Sequence, residues 1–119
     1  MSPYKIMVDD NFHYMEGDGS PEDGTFATAE DAIDACRRLV DESLVWEYRD
    51  GATADELYER YTDFGDDPFV VAVGGAPKVM FSAWTYAKQR AAELAAPGQE
   101  GLQRRQAVIE RKQRRLARG

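Results

Sequence analysis

Residues 28–44 read TAEDAIDACRRLVDESL and form the most regular pattern in this 119-residue chain. When each residue is turned by 100° about a helix axis, the apolar side chains fall in one sector and most charged side chains fall opposite. The apolar sector holds Ala29, Ala32, Ile33, Cys36, Leu39, Val40 and Leu44, and the opposite sector holds Asp31, Asp34, Arg38, Asp41 and Glu42. The pattern predicts an amphipathic helix with a buried stripe, whose first amides are capped by the hydroxyl of Thr28.

The apolar pattern predicts that this helix ends near Leu44. Glu47 would point into the stripe, and Asp50-Gly51 then interrupts the helix. If this face assignment is correct, Leu39→Ala leaves a cavity and is destabilising. Glu42→Ala, on the opposite face, is expected to be nearly neutral.

The composition indicates one globular domain. A length of 119 residues suits a single core, and 43% hydrophobic and 11% aromatic residues are globular values. The single cysteine excludes an intramolecular disulfide and a cysteine-based zinc cluster. No apolar run approaches the roughly 20 residues that span a bilayer, and the first residues do not have the pattern of a signal peptide. We therefore expect a cytoplasmic protein that does not associate with membranes.

The net charge of −7 is unevenly distributed. Residues 1–99 carry 20 acidic and 8 basic groups, a net charge of −12, whereas residues 100–119 carry 2 acidic and 7 basic groups, a net charge of +5. An acidic body repels nucleic acid at long range, so any nucleic-acid binding is expected in the last twenty residues.

Two hairpins and two further helices are predicted along the chain. Alternation in residues 4–8 and a turn at 9–11 predict a strand that returns through residues 12–15. A capping box at Thr53–Glu56 opens a helix that Gly65 ends. Residues 69–73 are apolar on both faces and predict an interior strand, which returns through residues 76–81 after Gly74-Gly75. Ser82 then caps a third helix, which Pro97-Gly98 ends.

The sum is an α+β domain over residues 1–96, in which a small antiparallel sheet of two hairpins packs with three helices in the order ββααββα. A basic helical extension occupies residues 97–119. Its apolar residues Leu102, Ile109 and Leu116 are seven apart, but the intermediate rows hold Arg, Gln and Lys. A stable coiled coil has apolar residues in both rows, so this helix is expected to project or to depend on a partner.

Four segments resemble a family of small bacterial proteins of unknown function. They are YKIMVDDNFHYM at 4–15, FATAEDAIDACRRLVDESL at 26–44, FGDDPFVV at 64–71 and FSAWTYAKQR at 81–90. The resemblance covers roughly residues 3–95 and does not include the basic extension. It implies no activity, cofactor or substrate, because the family is uncharacterised.

Residues with metal or nucleophilic chemistry have simpler interpretations. His13 is the only histidine, and with Asp9 and Asp10 it could surround a hard cation, but the acidic residues are more simply turn formers. Cys36 lies on the buried stripe, where a thiol is packed rather than reactive.

Two loops also fail as ligand motifs. A calcium loop counted from Asp18 requires Gly at its sixth position and Glu at its twelfth, but these positions hold Asp23 and Ala29. Gly74-Gly75 lacks the Lys-Ser/Thr ending of a phosphate-binding loop and is explained by a hairpin.

Candidate partner-binding residues fall into two groups. Aromatic side chains on the second and third helices line either the core and its rim or a recognition groove, and cations on the tail either fold back on an acidic surface or project. The candidates are Tyr58, Tyr61, Trp84, Arg104, Arg105, Arg111, Lys112, Arg114 and Arg115.

The sequence therefore predicts a non-enzymatic domain that binds a protein partner or itself and uses no cofactor. No nucleophile with a base, metal-ligand spacing or cofactor motif is found. One alternative is a nucleic-acid- or ribosome-associated factor that binds through the basic tail. Another is an enzyme that uses carboxylates such as Asp9, Asp10, Asp66 and Asp67.

Overall fold

A computed structural model describes residues 3–9 and 25–118. In these residues the strands are β1 (Tyr4–Asp9), β2 (Thr25–Phe26) and β3 (Asp67–Ala72), and the helices are α1 (Ala29–Glu47), α2 (Ala54–Phe64), α3 (Ala83–Leu94) and α4 (Gly98–Arg118). The α+β class is confirmed. The order ββααββα is not, because the second predicted hairpin is absent from this part of the chain.

Three helices begin at the residues that the sequence predicts. The hydroxyls of Thr28, Thr53 and Ser82 each accept a hydrogen bond from the backbone N–H three residues later. At α2 the carboxylate of Glu56 also accepts from the N–H of Thr53 and completes the capping box. The backbone and side-chain hydrogen bonds of Thr53 lower the pKa of Glu56, because they favour its ionised form.

The sheet differs from the two predicted hairpins. Its described strands are antiparallel in the order β2-β1-β3, with Tyr4 opposite both Phe26 and Ala72. β3 was predicted to be an interior strand paired with residues 76–81, and both statements are wrong for the described sheet. β3 lies at its edge, and residues 73–82 contain no strand. The return strand predicted at residues 12–15 lies outside the described residues.

The second hairpin does not form because a turn alone does not determine whether the chain after it pairs with the strand before it. Gly74 and Gly75 have φ angles of 63° and 83°, which glycine adopts easily, and the N–H of Ala76 donates to the carbonyl of Val73. Pro77 cannot donate to a strand ladder, and the chain continues to α3 instead of turning back along β3.

The core consists of two clusters, to which the first and second halves of α1 contribute. Ile6, Cys36 and Leu39 belong to the cluster between α1 and one face of the sheet. The second cluster joins all four helices and contains Leu44, Leu57, Tyr61, Leu94 and Val108 among other residues. Cys36 is fully buried, and its burial raises the pKa of its thiol to about 12, so the expectation of a packed cysteine is confirmed.

The charged face of α1 is more buried than its periodicity predicts. The helix continues to Glu47, past the expected end at Leu44, and Asp41 and Glu47 are both buried. The carboxylate of Glu47 accepts from Arg60 of α2 at 3.0 Å, and this ion pair explains how an acidic side chain can occupy the buried face. α2, α3 and α4 all pack against α1. The polar side of α1 is therefore covered in its second half and is not fully exposed to solvent.

Candidate interaction surfaces

The basic helix α4 packs back onto the body of the protein. Arg115 Nη2 lies 2.6 and 2.7 Å from the two carboxylate oxygens of Glu42. The guanidinium of Arg105 lies 3.9 Å from the ring centroid of Tyr48 and donates to a backbone carbonyl of α3 at 2.6 Å. Arg104 donates to the carboxylate of Glu100 at 2.7 Å. The tail thus folds onto the acidic surface of its own chain, which was one of the two alternatives.

These contacts reduce the cationic surface that is open to a partner. Of the six cations predicted to bind a partner, Arg104, Arg105 and Arg115 make the intramolecular contacts given above. Arg111 and Arg114 are exposed and Lys112 is half-buried. The charge of Arg111 also acts on the buried carboxylate of Asp41. The available basic patch is therefore about half of what the sequence alone indicates.

An apolar row on α4 remains exposed. Leu102, Ile109 and Leu116 are exposed by 39, 42 and 48%, whereas Gly101 and Val108, one residue before the first two of them, are buried. A methyl group at Gly101 would overlap the carbonyl oxygen of Ala96, so the first turn of α4 can lie this close to Ala96 only with glycine at position 101. α4 is thereby fixed along one side and presents an apolar row beside it.

A buried carboxylate joins α1 to α3. Asp41 Oδ1 accepts from the hydroxyl of Tyr86 at 2.8 Å and from Nε of Arg90 at 3.1 Å. Burial raises the pKa of Asp41 above its usual value, and the hydrogen bond from Tyr86 and the charges of Arg90 and Arg111 only partly offset that effect. Nothing in the sequence pattern distinguishes Asp41 from a solvated helix residue.

This pKa shift predicts a pH-dependent effect of Asp41→Asn. A raised pKa means that the folded state binds the proton more tightly, so ionisation of Asp41 lowers the free energy of unfolding as pH rises between the unfolded and folded pKa values. Asparagine keeps an acceptor for Tyr86 but does not titrate. The stability of Asp41→Asn relative to the unmodified protein should therefore increase in urea unfolding as pH rises from the ordinary pKa of aspartate, about 3.9, toward the raised pKa of folded Asp41.

The control for this measurement is Asp55→Asn, an exposed carboxylate on α2. Its stability difference from the unmodified protein should not show the same rise with pH. If the difference for Asp41→Asn instead falls as pH rises, attraction between Asp41 and Arg90 outweighs the cost of burial.

The predicted aromatic candidates are separated by the fold. Tyr61 is buried and its hydroxyl donates to the backbone carbonyl of Asp66, while burial raises its pKa. Tyr58 is half-buried and packs against the helical core. Of the three aromatic candidates, Trp84 alone is exposed, by 50%. Tyr61 and Tyr58 are thus core and rim residues, and they do not form a recognition groove with Trp84.

A groove of about 480 Å³ lies at another place, between β3 and the beginning of α3. It is lined by Asp67, Phe69, Phe81, Ser82, Ala83 and Trp84. The sequence pattern does not reveal this groove, because it predicts that Phe69 lies in an interior strand and Phe81 in a strand paired with it. The only available signal was the proximity of Phe81 and Trp84 to the cap residue Ser82.

Metal-binding clusters and membrane-spanning helices are absent from the described part of the chain. No group of three or more His, Cys, Asp or Glu residues there could hold a metal ion. Asp10 and His13 lie outside the described residues. No described helix has the length and apolarity needed to cross a membrane. Comparison with family models, curated proteins and solved structures finds no match, so the bacterial family resemblance rests on the four sequence segments alone.

Proposed function

We propose that this chain is a non-enzymatic protein-binding domain that self-associates through α4. The observation that carries the proposal is the exposed row Leu102, Ile109 and Leu116 on a helix that is anchored to the body. Single exposed apolar residues are common, but three apolar residues spaced seven apart along one helix are typical of a surface that pairs with another helix.

A protein partner fits α4 better than nucleic acid does. Arg104, Arg105 and Arg115 are used within the chain, and the body carries a net charge of −12 over residues 1–99. α4 also contains no aromatic residue that could stack on bases. The exposed Arg111 and Arg114 remain the basis of the nucleic-acid alternative, and substitution of these two residues tests it.

A second copy of α4 supplies a matching surface. In a pair of α4 helices, the first row of the contact line would be Leu102, Ile109 and Leu116, and the second row would be Gln106 and Gln113. Arg105 and Lys112 would lie along one edge of this contact line and Glu110 along the other. An antiparallel pair would place the basic flanks of the two copies together, whereas a parallel pair keeps them apart; the charge of Arg105 adds to this repulsion although its guanidinium is held by Tyr48 and the carbonyl of Leu94. Because flank charges set the orientation of paired helices, we propose the parallel arrangement.

The expected affinity is modest. A helix of 21 residues is about 30 Å long and presents a face about 10 Å wide, which is small beside the roughly 800 Å² per partner of a standard interface. The second row is also polar. We therefore expect a dimer in the micromolar range.

The test is analytical ultracentrifugation of Ile109→Asp. The substitution places a charge in the middle of the exposed row and should convert the dimer to a monomer without unfolding it. Ala107→Asp is the matched control, since Ala107 is exposed on the other side of α4 and receives the same charge. Substitution is preferable to deletion of α4, because Val108 belongs to the core.

Single cysteines report the orientation. In a parallel pair, Leu102→Cys, Ile109→Cys and Leu116→Cys should each form a disulfide-linked dimer, whereas in an antiparallel pair only Ile109→Cys should do so efficiently. Cys36 is buried and does not interfere. A chain that stays monomeric well above micromolar concentration would contradict self-association, and salt-sensitive RNA binding lost in Arg111→Ala/Arg114→Ala would favour the alternative.

A further inference from the structure

The groove between β3 and α3 has aromatic walls that face solvent. Phe69 is 42% exposed and Trp84 is 50% exposed, while Phe81 is half-buried. Their groove has a volume of about 480 Å³, which lies within the range of about 300–1,000 Å³ that small-ligand sites occupy. The groove contains Trp84 from the predicted partner-binding residues and Asp67 from the carboxylates of the enzyme alternative, and none of its lining residues belongs to α4.

The groove carries a negative charge on one of its lining residues. Asp67 lines it, and Asp66 precedes Asp67 in the chain. The charges of Asp67 and Asp66 also raise the pKa of the nearby Tyr61 hydroxyl, in addition to the larger effect of burial. A cation in the groove would thus be attracted by the carboxylate of Asp67.

The aromatic rings of the groove are distinct from those that already hold a cation. The cation–π contacts found in the described residues place Arg37 over Tyr86, Arg60 over Phe64 and Arg105 over Tyr48. The faces of aromatic rings attract cations, and the attraction is strongest for tryptophan. Three aromatic side chains and a carboxylate around one groove therefore provide two kinds of interaction with a positive charge.

The hydrogen-bonding groups of the groove decide which cation fits. The Ser82 hydroxyl already accepts from the N–H of Thr85 at 3.2 Å, so it is committed to capping α3. An ammonium or guanidinium ion has three to five N–H donors that require acceptors when they leave water, and the carboxylate of Asp67, the one acidic residue that lines the groove, can accept from only part of them. A quaternary ammonium group has no donor, loses less hydration, and is held by aromatic faces and a nearby negative charge.

We propose that this groove binds a quaternary ammonium group, which Phe69, Phe81 and Trp84 contact and Asp67 attracts. The same chemistry occurs in a free small molecule such as choline and in a trimethylated lysine side chain of a protein. Binding does not depend on the self-association of α4, so failure of either proposal leaves the other in place.

Binding can be measured by the fluorescence of Trp84. The chain has two tryptophans, so Trp46→Phe leaves Trp84 as the sole reporter. This protein is titrated with tetramethylammonium chloride and with choline, with sodium chloride added to hold the ionic strength constant. The expected result is a saturable change in the millimolar range.

A neutral isostere separates charge recognition from simple apolar binding. 3,3-Dimethylbutan-1-ol has the shape of choline without its charge and should bind about tenfold more weakly. Asp67→Asn should weaken tetramethylammonium binding about fivefold, whereas Asp55→Asn, an exposed carboxylate elsewhere, should leave it unchanged. Phe69→Leu keeps an apolar wall without a π face and should also weaken binding; circular dichroism checks that each variant is folded.

The source of the group is tested with peptides. Tighter binding of a trimethyl-lysine peptide than of choline, with no binding of the unmethylated peptide, would support the site and assign it to a protein ligand. Choline binding as tightly as the peptide would support the site and assign it to a small molecule. Equal binding of choline and its neutral isostere, or no saturable response to either quaternary ion, would overturn the proposal.

Discussion

Replacing Leu39 by alanine is expected to lower the free energy of unfolding by about 2–5 kcal/mol. Leu39 is buried between α1 and the sheet, in the cluster that also contains Ile6 and Cys36. The deleted side-chain atoms lose their burial, and the surrounding structure can fill only part of the cavity. The loss should be large because Val40 and Leu44 of the same helix pack in the helical core, so α1 cannot move freely toward the sheet.

Urea unfolding followed by circular dichroism measures this effect, and Leu116→Ala is its matched control. The control deletes the same atoms from a leucine that is 48% exposed, so its cost should be below about 1 kcal/mol. Both proteins are compared at a concentration below that at which the dimer forms. Equal losses for the two variants would show that the packing of α1 on the sheet is not as described.

Elements with local signals could be predicted from the sequence. Thr28, Thr53 and Ser82 mark the beginnings of α1, α2 and α3 because a capping hydroxyl acts on an amide only three residues away. The turn at Gly74-Gly75 is also local and forms, although the hairpin predicted around it does not. Such signals require no knowledge of the rest of the chain.

Strand pairing could not be predicted in the same way. β3 pairs with β1 through six residue positions, although the two strands are separated by α1 and α2. Apolar residues on both sides of a turn favour a hairpin, but they are equally compatible with pairing to a distant strand. Pro77 was the one local signal against the hairpin, and it proved more informative than the apolar run beside it.

The buried acids of α1 show a second limit. Helical periodicity places Asp41 and Glu42 opposite the apolar stripe, which is geometrically correct, but it does not reveal that other helices cover that side. Their partners Arg90 and Arg115 belong to α3 and α4. The exposed row on α4 could be found from its seven-residue spacing, whereas the aromatic groove depends on the placement of β3 beside α3.

The ion pair of Glu42 and Arg115 provides a direct test of how α4 docks. The two side chains are only 10 and 20% exposed, and Arg115 contacts both carboxylate oxygens. Removing one partner leaves the other charge partly buried without its counterion. Glu42→Ala and Arg115→Ala should therefore each lower the free energy of unfolding by about 1–3 kcal/mol, less than the cost at a fully buried pair because both side chains retain some solvent.

A double-mutant cycle separates the pair from the other effects of each substitution. The loss in Glu42→Ala/Arg115→Ala should be smaller than the sum of the single losses by about 1–2 kcal/mol, because the second substitution removes the uncompensated charge left by the first. Arg37 and Asp34 provide the control on the same helix: their side chains are 51 and 58% exposed, so their cycle should give about 0–0.5 kcal/mol. Urea unfolding at low and high salt completes the measurement, since salt should reduce the control coupling more than that of the buried pair. If Glu42→Ala is neutral, as helical periodicity alone predicts, then α4 does not pack on α1 in solution and its apolar row is not held beside the body of the protein.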